Sequence, residues 1–165
     1  MSIIDWAKYP NFAAKELACK HCGADGIRPE MMDILQSMRD ELEKPIFLSS
    51  GFRCVKHPVE QEKDKPGEHT YGFAIDIICH SDRALDIVKM AQARGVNRIG
   101  LHQKGNYNGR FIHLGIADKY NLAFPVALWT YWELNYHTHR VLIITTCTLL
   151  MALFYRLAAS GIGVM

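Results

Sequence analysis

The chain has 165 residues, 49% hydrophobic and 22% charged, an ordinary globular composition that suffices for one domain with a real core. A net charge of +2 without any Lys/Arg block excludes an electrostatic nucleic-acid binder. No Gly-rich phosphate loop, internal repeat or low-complexity tract occurs, so nucleotide chemistry and coiled-coil assembly have nothing to rest on.

The first residues, Met1 to Trp6, combine neither a basic start nor an apolar stretch, and no secretory leader is expected. Asn11 is placed to cap a short helix over residues 12–18, with Phe12, Ala13 and Leu17 on one face. Cys19-Lys20-His21-Cys22 follows, a CxxC with a histidine inside it. A structural zinc site takes four ligands, and no second CxxC exists. Cys54 and His57 are the other candidates close to one another, and a plain structural pair is the competing reading. Five cysteines at irregular spacing do not make a secreted disulfide framework and suit folding in a reducing compartment.

Pro29 opens the clearest helix. Its missing N–H costs nothing at the first helical position, Glu30 favours the positive end of the dipole, and Met31, Ile34, Leu35, Met38 and Leu42 recur at helical spacing. Pro45 ends it and leads into a strand over 46–48, which delivers Ser50 and Arg53. Residues 54–68 read as a solvated loop of alternating charge that walls a cleft. Ser81 is placed as the N-cap of a helix over 82–94, with Leu85 and Val88, joined by Ala84 and Ala91, as its buried face and Gly95 as its stop. Strands over 98–102 and 110–116 around a Gly/Asn turn make a hairpin, and 128–131 an edge strand.

Two stretches concentrate the chemistry. Gly67-Glu68-His69-Thr70-Tyr71-Gly72 sets a histidine in a Gly-bounded loop, and the apolar run that follows carries Asp76 between Ile75 and Ile77. A carboxylate so close to a core needs a cation or metal in compensation. Arg110-Phe111-Ile112-His113-Leu114 repeats the pattern with a second histidine. Taken singly, His69 reads as a loop histidine, His113 as a core histidine and Asp76 as an ion-pair residue. Together they make a His/Asp/His set for one zinc ion, with the fourth tetrahedral place open.

With Ser49-Ser50-Gly51-Phe52-Arg53 upstream, six residues between His69 and Asp76, and Phe111-Ile112-His113-Leu114 downstream, the chain resembles the D-alanyl-D-alanine carboxypeptidase-like zinc peptidases, which include phage endolysins and cell-wall endopeptidases. The resemblance covers roughly residues 10 to 131. It implies an α+β domain over 1–131, a small antiparallel sheet flanked by helices as in hedgehog and D-Ala-D-Ala peptidase folds. It implies Zn2+ on His69, Asp76 and His113, with Ser50 and Arg53 binding substrate and Arg53 holding a carboxylate or the developing oxyanion. It implies a peptidoglycan stem peptide as substrate, cut by an endolysin-like endopeptidase or a carboxypeptidase. A monomer made in the bacterial cytoplasm and acting at the cell wall or periplasm is expected.

Two positions depart from the pattern. Arg110 stands where much of the family has an acidic base, and Gly115 where the phage-type branch has an aspartate after the last histidine. Proton transfer to the leaving amine needs a positioned group. His102, Glu68 and Asp118 are the nearest candidates, with His102 set beside Arg53 as the catalytic pair. The departures keep alive a second reading, a catalytically weak zinc-binding module of the cell wall or virion. Residues 132–165 change character: 141–155 carries no charge and only Arg156 interrupts the apolar run to Met165. A membrane span needs about 20 such residues, so 141–165 reads either as a membrane segment or as a buried covering element.

Overall fold

The computed structural model describes residues 4–131. The tail over 132–165, with the domain boundary and the membrane reading placed on it, lies outside the described residues. Among those described, no helix is long and apolar enough to cross a membrane.

The architecture is α+β. Helices α1 (Ala14–Leu17), α2 (Pro29–Leu42), α3 (Pro58–Gln61) and α4 (Ser81–Ala93) flank a five-stranded sheet of β1 (Phe47–Ser50), β2 (Ala74–Ile78), β3 (Arg98–His102), β4 (Phe111–Gly115) and β5 (Ala127–Thr130). The strand order is β1-β2-β4-β3-β5. The first four strands pair antiparallel, as expected, whereas β5 joins β3 in parallel. After β4 the chain passes the start of β3 and enters the sheet beyond it, so β3 and β5 run the same way.

Side chains alternate across a strand, and this alternation separates core from site. Ile75 and Ile77 of β2, Ile99 of β3, and Ile112 and Leu114 of β4 share a core with Met31, Leu35 and Met38 of α2 and Ile87 and Met90 of α4. Full burial of each such side chain stabilises the fold by about 1.5–3 kcal/mol. Asp76 and His113 point the other way. The register aligns Ser50, Asp76, His113, Gly100 and Trp129 in one row across all five strands. An irregularity between Leu48 and Ser50 brings Ser50 into that row.

Several local expectations are corrected. The first helix starts at Ala14 with the Glu16 carboxylate accepting from the Ala13 N–H at 2.7 Å, while Asn11 accepts from Gln36 instead of capping it. His80, not Ser81, precedes α4, and Leu85 is 54% exposed while Ala84, Ile87, Met90 and Ala91 face the core. The charged loop over 54–68 is not all solvated: α3 forms within it and buries Glu60.

Candidate metal centre

Asp76 and His113 are direct cross-strand partners on β2 and β4, which brings their side chains close on one face. His69 comes from the short 3-10 turn Glu68–Tyr71, which enters above β2. Thr70 Oγ closes the turn by donating to Gly67 O at 2.7 Å, and the His69 carbonyl accepts from the Arg53 N–H at 3.3 Å. All three side chains are buried.

Three atoms converge: His69 Nε2, His113 Nδ1 and Asp76 Oδ1. The two nitrogens are 3.2 Å apart, and Asp76 Oδ1 lies 3.3 Å from His69 Nε2 and 2.9 Å from His113 Nδ1. Zinc–ligand bonds of 2.0–2.1 Å give a tetrahedron with edges of about 3.3 Å. The triangle matches one face of it, so these residues fit zinc.

The far side of each ligand is held as a metal site requires. His69 Nδ1 donates to the Gly51 carbonyl at 2.7 Å, which leaves Nε2 with its lone pair inward. His113 Nε2 donates to Glu68 Oε1 at 2.7 Å, which fixes Nδ1 as the inward atom. Arg98 Nε in turn donates to Glu68 Oε2 at 3.0 Å. Asp76 Oδ2 accepts from Arg53 at 2.5 Å, which frees Oδ1 for the centre.

The electrostatics follow from this wiring. Burial alone would raise the Asp76 carboxyl, but the charge and hydrogen bonds of His69 and His113 outweigh it and hold it well below the ordinary carboxylate range. Burial pushes His69 down, against the pull of Asp76. Burial would also depress His113, yet hydrogen bonds to Asp76 and Glu68 and their charges lift it to about 9. That direction favours a proton on His113 at neutral pH, which a bound metal would have to displace.

Arg53 is more engaged than its sequence role implies. Its Nε donates to Ser50 Oγ at 2.8 Å, one terminal nitrogen reaches Asp76, and the other lies 3.5 Å from Glu60 Oε1. Glu60 also accepts from Lys63 at 2.7 Å and from the Gly67 N–H at 2.8 Å. A single buried carboxylate therefore ties the Arg53 loop to the entry of the His69 turn.

The three candidates for proton transfer fall in different places. Glu68 lies behind His113, on the side away from the converging atoms. Asp118 faces Asn97 at 3.3 Å, beyond the end of β4. His102 shares the site face at the end of β3, stacked on Phe111 with centroids 4.9 Å apart, and its buried Nδ1 has no hydrogen-bond partner among the described residues. Arg110 points outward, donating to Gly105 O and lying over Tyr107.

Sequence reasoning missed several residues. Trp129 covers Gly100 and leans on His113, with ring centroids 5.2 Å apart. Tyr131 reaches the same pocket, where burial, then the Asp76 charge, raises its phenol far above the ordinary range. Arg98 lies over Trp129 and Phe124. The alternation of β5 is the one signal that pointed to these aromatics, and it does not say which face meets the site.

No curated protein matches the chain. A family model described as Peptidase M15 matches residues 10–115, a span that includes His69, Asp76 and His113. That family and the buried ligand set together indicate a metallopeptidase using zinc. With more than half of its length matched, the chain belongs to the Peptidase M15 family.

Proposed function

We propose that this metallopeptidase hydrolyses peptide bonds in peptidoglycan stem peptides, as a phage endolysin-type endopeptidase or a carboxypeptidase acting at the cell wall. The observation that carries the hydrolase reading is the triangle of His69 Nε2, His113 Nδ1 and Asp76 Oδ1, each held from behind by a separate partner. Zinc bound there supplies Lewis acidity toward a scissile carbonyl and an activated water at neutral pH. Asp76 and the two imidazoles hold it, and Arg53 and Glu68 keep their donor atoms aimed.

The peptidoglycan assignment rests on the family resemblance and on Arg53. Its terminal nitrogen at 3.5 Å from Glu60 is its loosest contact. That nitrogen is the one to turn toward a substrate carboxylate, as a charge-assisted donor. A stem peptide offers carboxylates at its D-alanine end. His102, on the site face with an Nδ1 that has no partner among the described residues, is the group assigned to carry the proton to the leaving amine.

The test is digestion of purified peptidoglycan by the zinc-loaded protein beside a His113→Ala variant, with fragments identified by mass spectrometry. New peptide termini from the parent alone are expected, and they name the bond. One zinc per chain at this centre without any cleavage would overturn the enzyme reading in favour of a zinc-binding cell-wall module. His102→Gln is expected to retain its metal while kcat falls about 100-fold, within the range of general acid–base catalysis.

A further inference from the structure

We propose that Cys19, Cys22 and Cys54 bind a second zinc ion, with His21 as the fourth ligand, and that this ion clamps the N-terminal segment to the loop carrying Arg53. The three sulfurs lie within 4.8 Å of one another. All three are free thiols, and three thiols so placed cannot all be consumed by a disulfide between two of them.

The local backbone has the form that thiolate ligands need. Cys19-Lys20-His21-Cys22-Gly23 folds into a tight turn: the Gly23 N–H donates to Cys19 O at 2.7 Å and the Cys19 N–H to Ala24 O at 2.9 Å. Gly23 takes φ +74°, a left-handed conformation that glycine adopts without a Cβ penalty. The Cys54 N–H donates to Cys19 Sγ at 3.3 Å, and the amides of Cys22 and His21 also turn toward that sulfur. Donors gathered on one sulfur favour its ionised form, the form that binds a metal.

The fourth ligand follows from the two nearby histidines. His21 Nδ1 is 3.5 Å from Cys54 Sγ, and zinc bonds of 2.3 Å to sulfur and 2.0–2.1 Å to nitrogen set that edge at about 3.5 Å. His57 is committed elsewhere: its Nδ1 accepts from the Val59 N–H as the cap of α3. A turn of the exposed His21 side chain completes a Cys3His set, the composition of structural rather than catalytic zinc sites.

The location gives the ion a purpose. Cys54 directly follows Arg53, and the Phe52 N–H donates to Leu17 O at 2.8 Å just before Cys19. One ion would lock this crossing, and with it Gly51, whose carbonyl orients His69.

The test uses the full chain, kept reduced, with zinc counted by elemental analysis and cobalt(II) substituted to read the ligands. Two zinc ions per chain are expected, and titration with a mercurial thiol reagent should release one of them. The cobalt form should show an intense sulfur-to-metal charge-transfer band. His113→Ala should keep that band and lose the other metal. Cys22→Ser, at an exposed position, should lose one metal and with it the band, and His21→Ala should lower affinity at this site at least tenfold while His57→Ala leaves it unchanged. A single zinc in the reduced parent, removed by His113→Ala and untouched by the mercurial, would overturn the proposal without bearing on the first centre. Loss of the second metal in His57→Ala but not in His21→Ala would overturn the assignment of the fourth ligand.

Discussion

The carboxylate of Glu68 fills the space that a side chain on Gly115 would need: a Cβ built on Gly115 runs into it. The resemblance implies an aspartate at that place in the phage-type branch, and here the position is bare. The carboxylate comes instead from the residue before His69 and reaches His113 Nε2 at 2.7 Å. The carboxylate behind His113 thus lies in the space that a side chain at position 115 would otherwise occupy.

This exchange predicts the outcome of a swap. Glu68→Ala should weaken zinc binding about 10–100-fold, the usual cost of removing the partner behind a ligating histidine. Gly115→Asp alone should destabilise the protein, because Arg98 and His113 hold Glu68 in place and the new side chain has nowhere to go. The double variant should regain affinity over Glu68→Ala. Chelator competition reads the affinity and thermal melting the fold; a double variant no better than Glu68→Ala would show that the two positions are not interchangeable.

Metal uptake at the His/Asp/His centre should release a proton. His113 is raised to about 9, so at neutral pH the metal must displace the proton on Nδ1, and affinity should climb about tenfold per pH unit until it levels near that value. Calorimetry in buffers of different ionisation enthalpy measures the proton directly. Release of close to one proton per ion at pH 7 is expected in the Cys22→Ser background, where this centre is read alone, and no release would mean that His113 is neutral beforehand.

Glu60 makes a separate prediction about acid stability. Burial opposes its ionisation, but Lys63, the Gly67 amide and Arg53 together hold its carboxyl below 4.5. A carboxyl depressed on folding contributes stability that is complete above its unfolded value and is lost as pH falls through the folded one. Melting temperature should therefore drop below pH 4.5 in the parent. Glu60→Gln should show a shallower fall, with a loss at neutral pH of about 3 kcal/mol, the lower end for breaking a buried ion pair. Equal slopes in the two proteins would assign the acid sensitivity to other carboxylates.

The parts legible in the sequence were those set by period and by spacing. Met31, Leu35 and Met38 recur every turn, and helix α2 buries them. Isoleucines on either side of Asp76 mark a strand whose one polar side chain faces away from the core. Other features depend on pairing between distant segments. Nothing near Glu60 in the chain says that Arg53 and Gly67 will converge on it, so its run of mixed charge reads as solvated. Leu85 is apolar yet lies on the outer face of α4, because Ile87 and Met90 set the inner one. The parallel entry of β5 leaves no local mark, so the alternation over 128–131 does not say that Trp129 and Tyr131 are on the face that meets the site.

Gly100 provides the sharpest test of that aromatic wall. It sits between His113 and Trp129 in the cross-strand row, and a Cβ there would come within 2.7 Å of the indole. Trp129 cannot easily retreat, since Arg98 lies over it at 5.5 Å and His113 is beside it. Gly100→Ala should therefore cost about 1–3 kcal/mol, as overpacking does, and should push the indole away from His113. Fluorescence separates this from a general loosening: cobalt(II) at the first centre should quench Trp129 in the parent and less in Gly100→Ala, while Trp129→Phe removes the quenched signal. Undiminished quenching in a stable Gly100→Ala protein would show that the indole is not held against the ligand by the missing side chain.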